Sequence, residues 1–244
     1  MEVFFEIHSD NPREGPGNYD STKRAFESLT NLPEKPSILD IGCGPGKQTF
    51  DLLKLSNARI TAVDNYQPYL DTIQIKIDCD NLGNRLQVIN MDMADLDFEK
   101  ESFDVIWSEG AIYNIGFKNG LLSWMKYLKS SGYIAVTDAT WLKENPPQHL
   151  LDFWNAAYPA IQSTNDNLIT IKKSRYKPVD HIILPESAWW EYYNPIINKL
   201  PYLKQKYASD KKALAVIDDE EKEIELYRKY SEFYGYVFYI MQKP

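Results

Sequence analysis

The stretch ILDIGCGPGKQT, residues 38–49, sets one acidic side chain and three alternating glycines behind an apolar run: Asp40, Gly42, Gly44 and Gly46. Glycines that leave a buried strand let the main chain lie against a ligand, because no Cβ intervenes and left-handed φ is accessible. Three ligand chemistries compete for such a turn. A phosphate-cradling loop needs four residues between its glycines, then Lys followed by Ser or Thr; here Gly42 and Gly46 enclose only three, and Gln48 follows Lys47. A dinucleotide turn, GxGxxG, is met at Gly42 and Gly44 but has Lys47 where its third glycine belongs. The third pattern is Asp-x-Gly-x-Gly-x-Gly, a carboxylate able to attract a cation beside main chain that a ligand can approach without Cβ clashes.

These residues need a scaffold. Residues 37–41, 59–64, 86–90, 104–108 and 132–138 read as buried strands. Helical stripes lie between them: Phe50, Leu52 and Leu53 in residues 47–55, then Leu70, Ile73 and Ile77 in a helix opened by Pro68 and stopped near Gly83, then Leu121, Met125 and Leu128. Near-continuous apolar strands separated by amphipathic helices predict an α/β, doubly wound, mostly parallel sheet covered on both faces. Residues 1–18 are rich in turn formers and read as loop or cap; a helix capped by Asp20 or Ser21 follows, with Ala25, Phe26 and Leu29 apolar and Pro33 and Pro36 beyond it. After Thr140, residues 152–161 read as helix, 179–184 as strand, 186–231 as an aromatic and charged helical insertion, and 234–242 as a closing strand. This divides the chain into a cap segment and helix (1–30), a ligand-binding unit (31–184 with 232–244) and a helical insertion that covers the substrate (185–231).

Ligands of open parallel sheets sit beyond the carboxyl ends of the strands. Asp64 ends the second strand there, and Asp92 follows the third in VINMDMADL. With the glycine turn between them, residues 35–140 resemble the class I S-adenosylmethionine-dependent methyltransferases, and the strand pair 179–184 and 234–242 fits that family more loosely. The chain is similar to bacterial and archaeal members of unassigned substrate in its early GPG element, in SEGAIYNIGF and in LPESAWW. The resemblance implies a seven-stranded, Rossmann-like methyltransferase fold, S-adenosyl-L-methionine as donor, S-adenosyl-L-homocysteine as product, and a small or medium-sized acceptor. It implies Asp40, Gly42, Cys43, Gly44 and Gly46 at the amino-acid end, Asp64 with Asn65 at the ribose, and Asp92 with Met93 at the adenine, Asp95 being the nearby alternative to Asp92. Residues 103–117 look like the family's fourth strand and following loop, which implies Ser108 at the cofactor.

The residue types add further roles. Arg13 can pair with a carboxylate of cofactor or substrate. Tyr19 can lay its ring over a sulfonium. Glu109 is the best-placed general base, with His8 and His149 as distant alternatives, and Tyr113 and Asn114 follow it toward the substrate. Trp141, Trp189, Trp190, Tyr192 and Tyr193 are candidates for an aromatic acceptor pocket. The Cys43 thiol reads as a small packed group whose main chain does the binding.

Composition narrows the classes. The 27 basic and 35 acidic residues leave a net charge of −8, which repels nucleic acid. Cys43 and Cys79 make no disulfide framework, and His8, His149 and His181 have no metal-site spacing, so no metal is expected. MEVFFEIHSDNPRE lacks the basic start and apolar run of a secretory signal, and no apolar stretch approaches the roughly 20 residues of a membrane span. The expectation is a cytoplasmic protein with no membrane partner, its oligomeric state open, a homodimer among the possibilities. The rival readings are a nicotinamide-dependent (NAD) oxidoreductase on a related fold, a non-catalytic S-adenosylmethionine-binding protein, and an enzyme whose acceptor is another protein.

Overall fold

The computed structural model describes residues 2–244. The apolar runs form β1 (Ser37–Ile41), β2 (Arg59–Asp64), β3 (Leu86–Asn90), β4 (Phe103–Ser108) and β5 (Leu128–Trp141), followed by the two-residue β6 (Gln162–Ser163), then β7 (Lys177–Ile183) and β8 (Tyr234–Gln242). The sheet order is β3-β2-β1-β4-β5-β8-β7, with β6 paired to the end of β5. The β1, β2, β3, β4 and β5 pairings are parallel, while β8 runs antiparallel between β5 and β7. The short β6 makes eight strands where seven were expected. Chain order reverses between β1 and β4, so a crevice opens beyond their carboxyl ends.

Successive side chains alternate across the sheet, and each face has its own core. Ile38, Ile60, Val105, Trp107 and Phe238 pack on one face; Leu39, Val63, Ile106, Ile134 and Tyr239 pack on the other. The covering helices are α1 (Glu2–His8), α2 (Tyr19–Glu27), α3 (Lys47–Leu55), α4 (Gln67–Cys79), α5 (Phe117–Trp124), α6 (Gln148–Ala157), α7 (Thr164–Lys173), α8 (Glu186–Lys206) and α9 (Lys211–Tyr230). The last two form the insertion between β7 and β8. Trp189 of α8 stacks on Tyr227 of α9 with ring centroids 4.1 Å apart. Among the described residues no helix is long and apolar enough to cross a membrane.

Several local expectations are corrected. Residues 2–8 are helix, not loop, because Val3 and Ile7 stand four apart and bury one face against α8 and α9. Asn18, not Asp20 or Ser21, caps α2: its side chain accepts from the Ser21 N–H at 2.9 Å. Helix α4 stops at Cys79, short of the expected stop at Gly83, and Asn81 takes a left-handed conformation (φ 53°). Leu128 starts β5 after a 3-10 turn at Met125–Tyr127, so it does not extend α5. Helix α7, capped by Ser163, was not read from sequence at all.

Candidate functional site

The three glycines of the turn all have positive φ, at 70°, 53° and 87° for Gly42, Gly44 and Gly46, but they serve different ends. A Cβ on Gly42 would stand 2.4 Å from Ala111 Cβ, so this glycine lets the end of β1 pack under the loop after β4. A Cβ on Gly46 would stand 2.8 Å from Ile73 Cγ1, so this one seats α3 against α4. At Gly44 the nearest atom is Glu14 Cγ at 3.9 Å, and the main chain faces open space. The Gly42 and Cys43 N–H groups both donate to Val63 O, at 2.9 and 3.0 Å. The Gly44 N–H donates to Asp64 Oδ2 and the Tyr66 N–H to Asp64 Oδ1, each at 2.9 Å. One carboxylate thereby ties the turn to the end of β2, with lone pairs left over, since an ionised carboxylate offers about four acceptor sites.

A cavity of about 430 Å³ opens here. Its walls include Gly42, Cys43, Gly44, Asp64 and Asn65 from the first two strand ends, and Asp92 and Met93 from the third. Glu109, Tyr113 and Asn114 come from the segment after β4, and Arg13 from the segment before α2. Asp95 is not among them. Asp92 accepts the Ala94 N–H on Oδ1 at 2.8 Å. Burial raises the Cys43 thiol pKa well above its ordinary value, so the thiol stays protonated and its main chain faces the cavity.

Other candidates are placed elsewhere. Asp40 lies fully buried behind the turn and accepts from Thr49 Oγ1 at 2.5 Å. Burial pushes its carboxyl up to about 7; the Thr49 bond opposes this and the nearby Glu109 charge adds to it. Asp40 therefore braces α3 against β1 and does not face the cavity. Gly46 is likewise occupied by packing. Ser108 is fully buried and spends its hydroxyl on Ile41 O at 2.8 Å. Tyr19 opens α2 and is exposed outside the cavity. Trp141, at the end of the long β5 and paired there with Tyr234 and Ser163, edges a separate hollow with Lys143 and Ser163.

Arg13 is 4% exposed, and its guanidinium is underpartnered. Nη1 has two long contacts, 3.5 Å each, to Gly15 O and Glu109 Oε2, while Nε and Nη2 have no partner. A buried guanidinium with unspent donors is costly unless an anion meets it. Glu109 is the reverse case. Its Oε1 accepts from Thr22 Oγ1 at 2.8 Å and from Trp107 Nε1 at 2.9 Å, and Oε2 faces Arg13. Such bonding suits an anchor for the N-terminal segment better than the general base read from sequence. Glu109→Gln is therefore expected to weaken cofactor binding about tenfold, as loss of charge-assisted hydrogen bonds does, with near-normal turnover at saturation. Calorimetry and steady-state kinetics check this; normal binding with slow turnover would restore the base.

A second cavity, of about 600 Å³, adjoins the first and shares Glu14, Asp64, Tyr69, Tyr113 and Asn114 with it. Phe4, Phe5 and His8 of α1, Trp154 of α6, Trp189 and Tyr192 of α8, and Glu220 and Glu223 of α9 also line it. His8 Nδ1 is 2.6 Å from Glu14 Oε2, and Nε2 is 3.4 Å from Glu220 Oε1. Burial opposes a charge on His8, yet the two carboxylates outweigh it and hold the pKa at about 9, so the ring is an imidazolium. Sequence reasoning missed Glu14, Tyr69, Trp154, Glu220 and Glu223. The one local signal was the position of Glu14, beside Arg13 in a segment already singled out.

Residues 38–132 match the family model described as "Methyltransferase domain". The sterol 24-C-methyltransferase of Clavispora lusitaniae is 27% identical over 107 residues, 43% of this chain and 28% of that protein. Phosphoethanolamine N-methyltransferase 1 of Triticum aestivum is 25% identical over 126 residues, 50% of this chain and 24% of that protein. The chain thus spans less than a third of the length of these curated relatives. A SAM-dependent methyltransferase from Geobacter sulfurreducens, solved in complex with S-adenosyl-L-homocysteine, superposes with a TM-score of 0.84 at 16% identity, covering 100% of this chain and 98% of that one. At that identity the likeness establishes the fold.

Proposed function

We propose that this chain, whose residues 38–132 match a methyltransferase domain, is a class I enzyme that transfers a methyl group from S-adenosyl-L-methionine to a small or medium-sized acceptor and releases S-adenosyl-L-homocysteine. The observation that carries this reading is the underpartnered Arg13 facing the same cavity as the Gly44 main chain and Asp64. Arg13 suits the carboxylate of the donor's amino-acid end through its free Nε and Nη2 edge. The remaining lone pairs of Asp64 suit the two ribose hydroxyls. Asp92 and Met93 suit the amino group and ring face of adenine, and Gly44 leaves room for the ligand to lie on the main chain. Among the described residues no Lys lines this cavity, in keeping with a ligand that lacks phosphate.

When bound, the donor supplies a methyl carbon made electrophilic by its sulfonium sulfur. The protein contributes alignment of acceptor with donor and exclusion of water. The two adjoining cavities suit that division: strand-end residues hold the donor, and α1, α6, α8 and α9 enclose the acceptor.

Parallel calorimetric titrations with S-adenosyl-L-methionine, S-adenosyl-L-homocysteine, NAD and ATP test this. Micromolar binding of the first two alone is the expected result. Binding of NAD or ATP in their place would transfer the turn to a nucleotide, and tight binding without turnover against any acceptor would make the chain a sensor or carrier of the cofactor.

A further inference from the structure

Resting on the methyl-transfer reading, we propose that the acceptor is an amine without a phosphate group, held as a cation in the aromatic second cavity and deprotonated there by Glu223. The charges in that cavity are one-sided. Among the described residues Glu14, Asp64, Glu220 and Glu223 line it, and neither Lys nor Arg does. Among the described residues its one cation, the His8 imidazolium, is already bound between Glu14 and Glu220. Lys222 stands only on the outer hollow that continues past Phe4, Glu220 and Glu223. A phosphorylated acceptor would place two negative charges among carboxylates with no free cation to meet them.

The rest of the wall suits a positive charge. Phe5 stacks on Tyr66 with centroids 5.3 Å apart, and Tyr66 meets Tyr69 edge-on at 4.7 Å. Trp154, Tyr192 and Tyr236 close the far side. Aromatic faces attract cations, most strongly where water is excluded. Two buried polar atoms point to a ligand as well. Trp189, 2% exposed, lines the cavity with no partner for its indole N–H, and Glu14 Oε1 is also unpartnered. The first calls for a hydroxyl or carbonyl oxygen on the acceptor, the second for a donor such as an ammonium N–H.

An ammonium cannot attack carbon until it loses a proton, and Glu223 is suited to take it. Tyr193 Oη donates to Glu223 Oε1 at 3.0 Å. Glu223 is half-buried, and burial, with the neighbouring Glu220 charge, lifts its pKa to about 7, against the Tyr193 bond from α8 and the His8 charge from α1. The step balances as follows: the ammonium proton passes to the Glu223 carboxylate, and the nitrogen lone pair forms the new N–C bond. The C–S bond breaks with its electron pair left on sulfur, giving a thioether and an N-methylammonium product.

The test is calorimetric titration of the full chain, loaded with S-adenosyl-L-homocysteine, using 2-phenylethylamine, 3-phenylpropionate and phosphoethanolamine as probes. The amine is expected to bind at least about tenfold more tightly than either other probe. Glu223→Gln is expected to weaken amine binding about tenfold, the order of one charge-assisted contact, with S-adenosyl-L-homocysteine affinity unchanged, which also reports an intact fold. Trp189→Phe, which keeps the ring and removes the donor, should weaken an amine bearing a hydroxyl more than 2-phenylethylamine. Equal or tighter binding of either anion, no amine binding, or an unaffected Glu223→Gln variant would overturn the inference while leaving the methyl-transfer reading in place. Failure of S-adenosyl-L-homocysteine itself to bind would overturn both.

Discussion

Replacing Asp64 by alanine weakens S-adenosyl-L-methionine binding by more than about tenfold, the order expected when hydrogen bonds to a charged group are lost. The structure gives two reasons for so large an effect. The lone pairs left over after the Gly44 and Tyr66 bonds are those assigned to the ribose, so the contact is lost directly. The same carboxylate fixes the Gly44 N–H and the Tyr66 N–H at 2.9 Å each, so the turn that the ligand lies on is released too. Asp64→Asn separates the two effects: it keeps one carbonyl oxygen and loses the charge, and should lose less affinity than alanine. Calorimetry with S-adenosyl-L-homocysteine measures both variants. Unchanged affinity in Asp64→Ala would remove this residue from the site.

The second large effect distinguishes two glycines of one turn. Gly42→Ala meets both a left-handed φ and a neighbour at 2.4 Å. The conformation costs about 1–2 kcal/mol, and overpacking adds about 1–3 kcal/mol. For a domain of this size that is a fall in Tm of roughly 10 °C. Gly44→Ala has the same conformational cost, but its Cβ has no neighbour nearer than 3.9 Å. Its Tm should fall by only about 2–8 °C, while cofactor affinity drops because the new methyl group occupies ligand space. Thermal melts and calorimetry on the two variants give the comparison. Equal losses of Tm would mean that Gly42 is not a packing glycine, and unaltered affinity in Gly44→Ala would mean that the ligand lies elsewhere.

What could be read from sequence is what local chemistry determines. The strands at 37–41, 59–64, 86–90 and 234–242 match residue for residue, because buried strands are continuous apolar runs and need no partner to be recognised. The shape of the turn was legible because alternating glycines after such a run are rare, and Asp64, Asp92 and Met93 could be placed on one cavity because strand ends in a parallel sheet all face one crevice. The errors are of another kind. Ser108 has the right position, yet its hydroxyl bonds back to Ile41 O, a contact made across two strands. Trp141 was misplaced because β5 runs to Trp141, beyond the stretch expected from its apolar pattern. Asp40 was read as facing the ligand, whereas strand alternation directs it to Thr49. The second cavity had no local signature. Phe5, Glu14, Tyr69, Trp154 and Glu223 come from five separate segments and meet only once α1 packs on α8 and α9.

The position of β8 inside the sheet has a consequence for the order in which the molecule assembles. Tyr133 of β5 pairs with Gln242, and Lys177 of β7 pairs with the same residue from the other side. Until residues 234–242 have been synthesised, β5 has an open hydrogen-bonding edge and β7 has nothing to join. The parallel half, β1 to β5 with the glycine turn, has all its neighbours much earlier. Long-range pairing of this kind is slow to form and leaves exposed strand edges in the interval. The parallel strands and the glycine turn therefore have their partners before the cavity walled by α6, α8 and α9 can close.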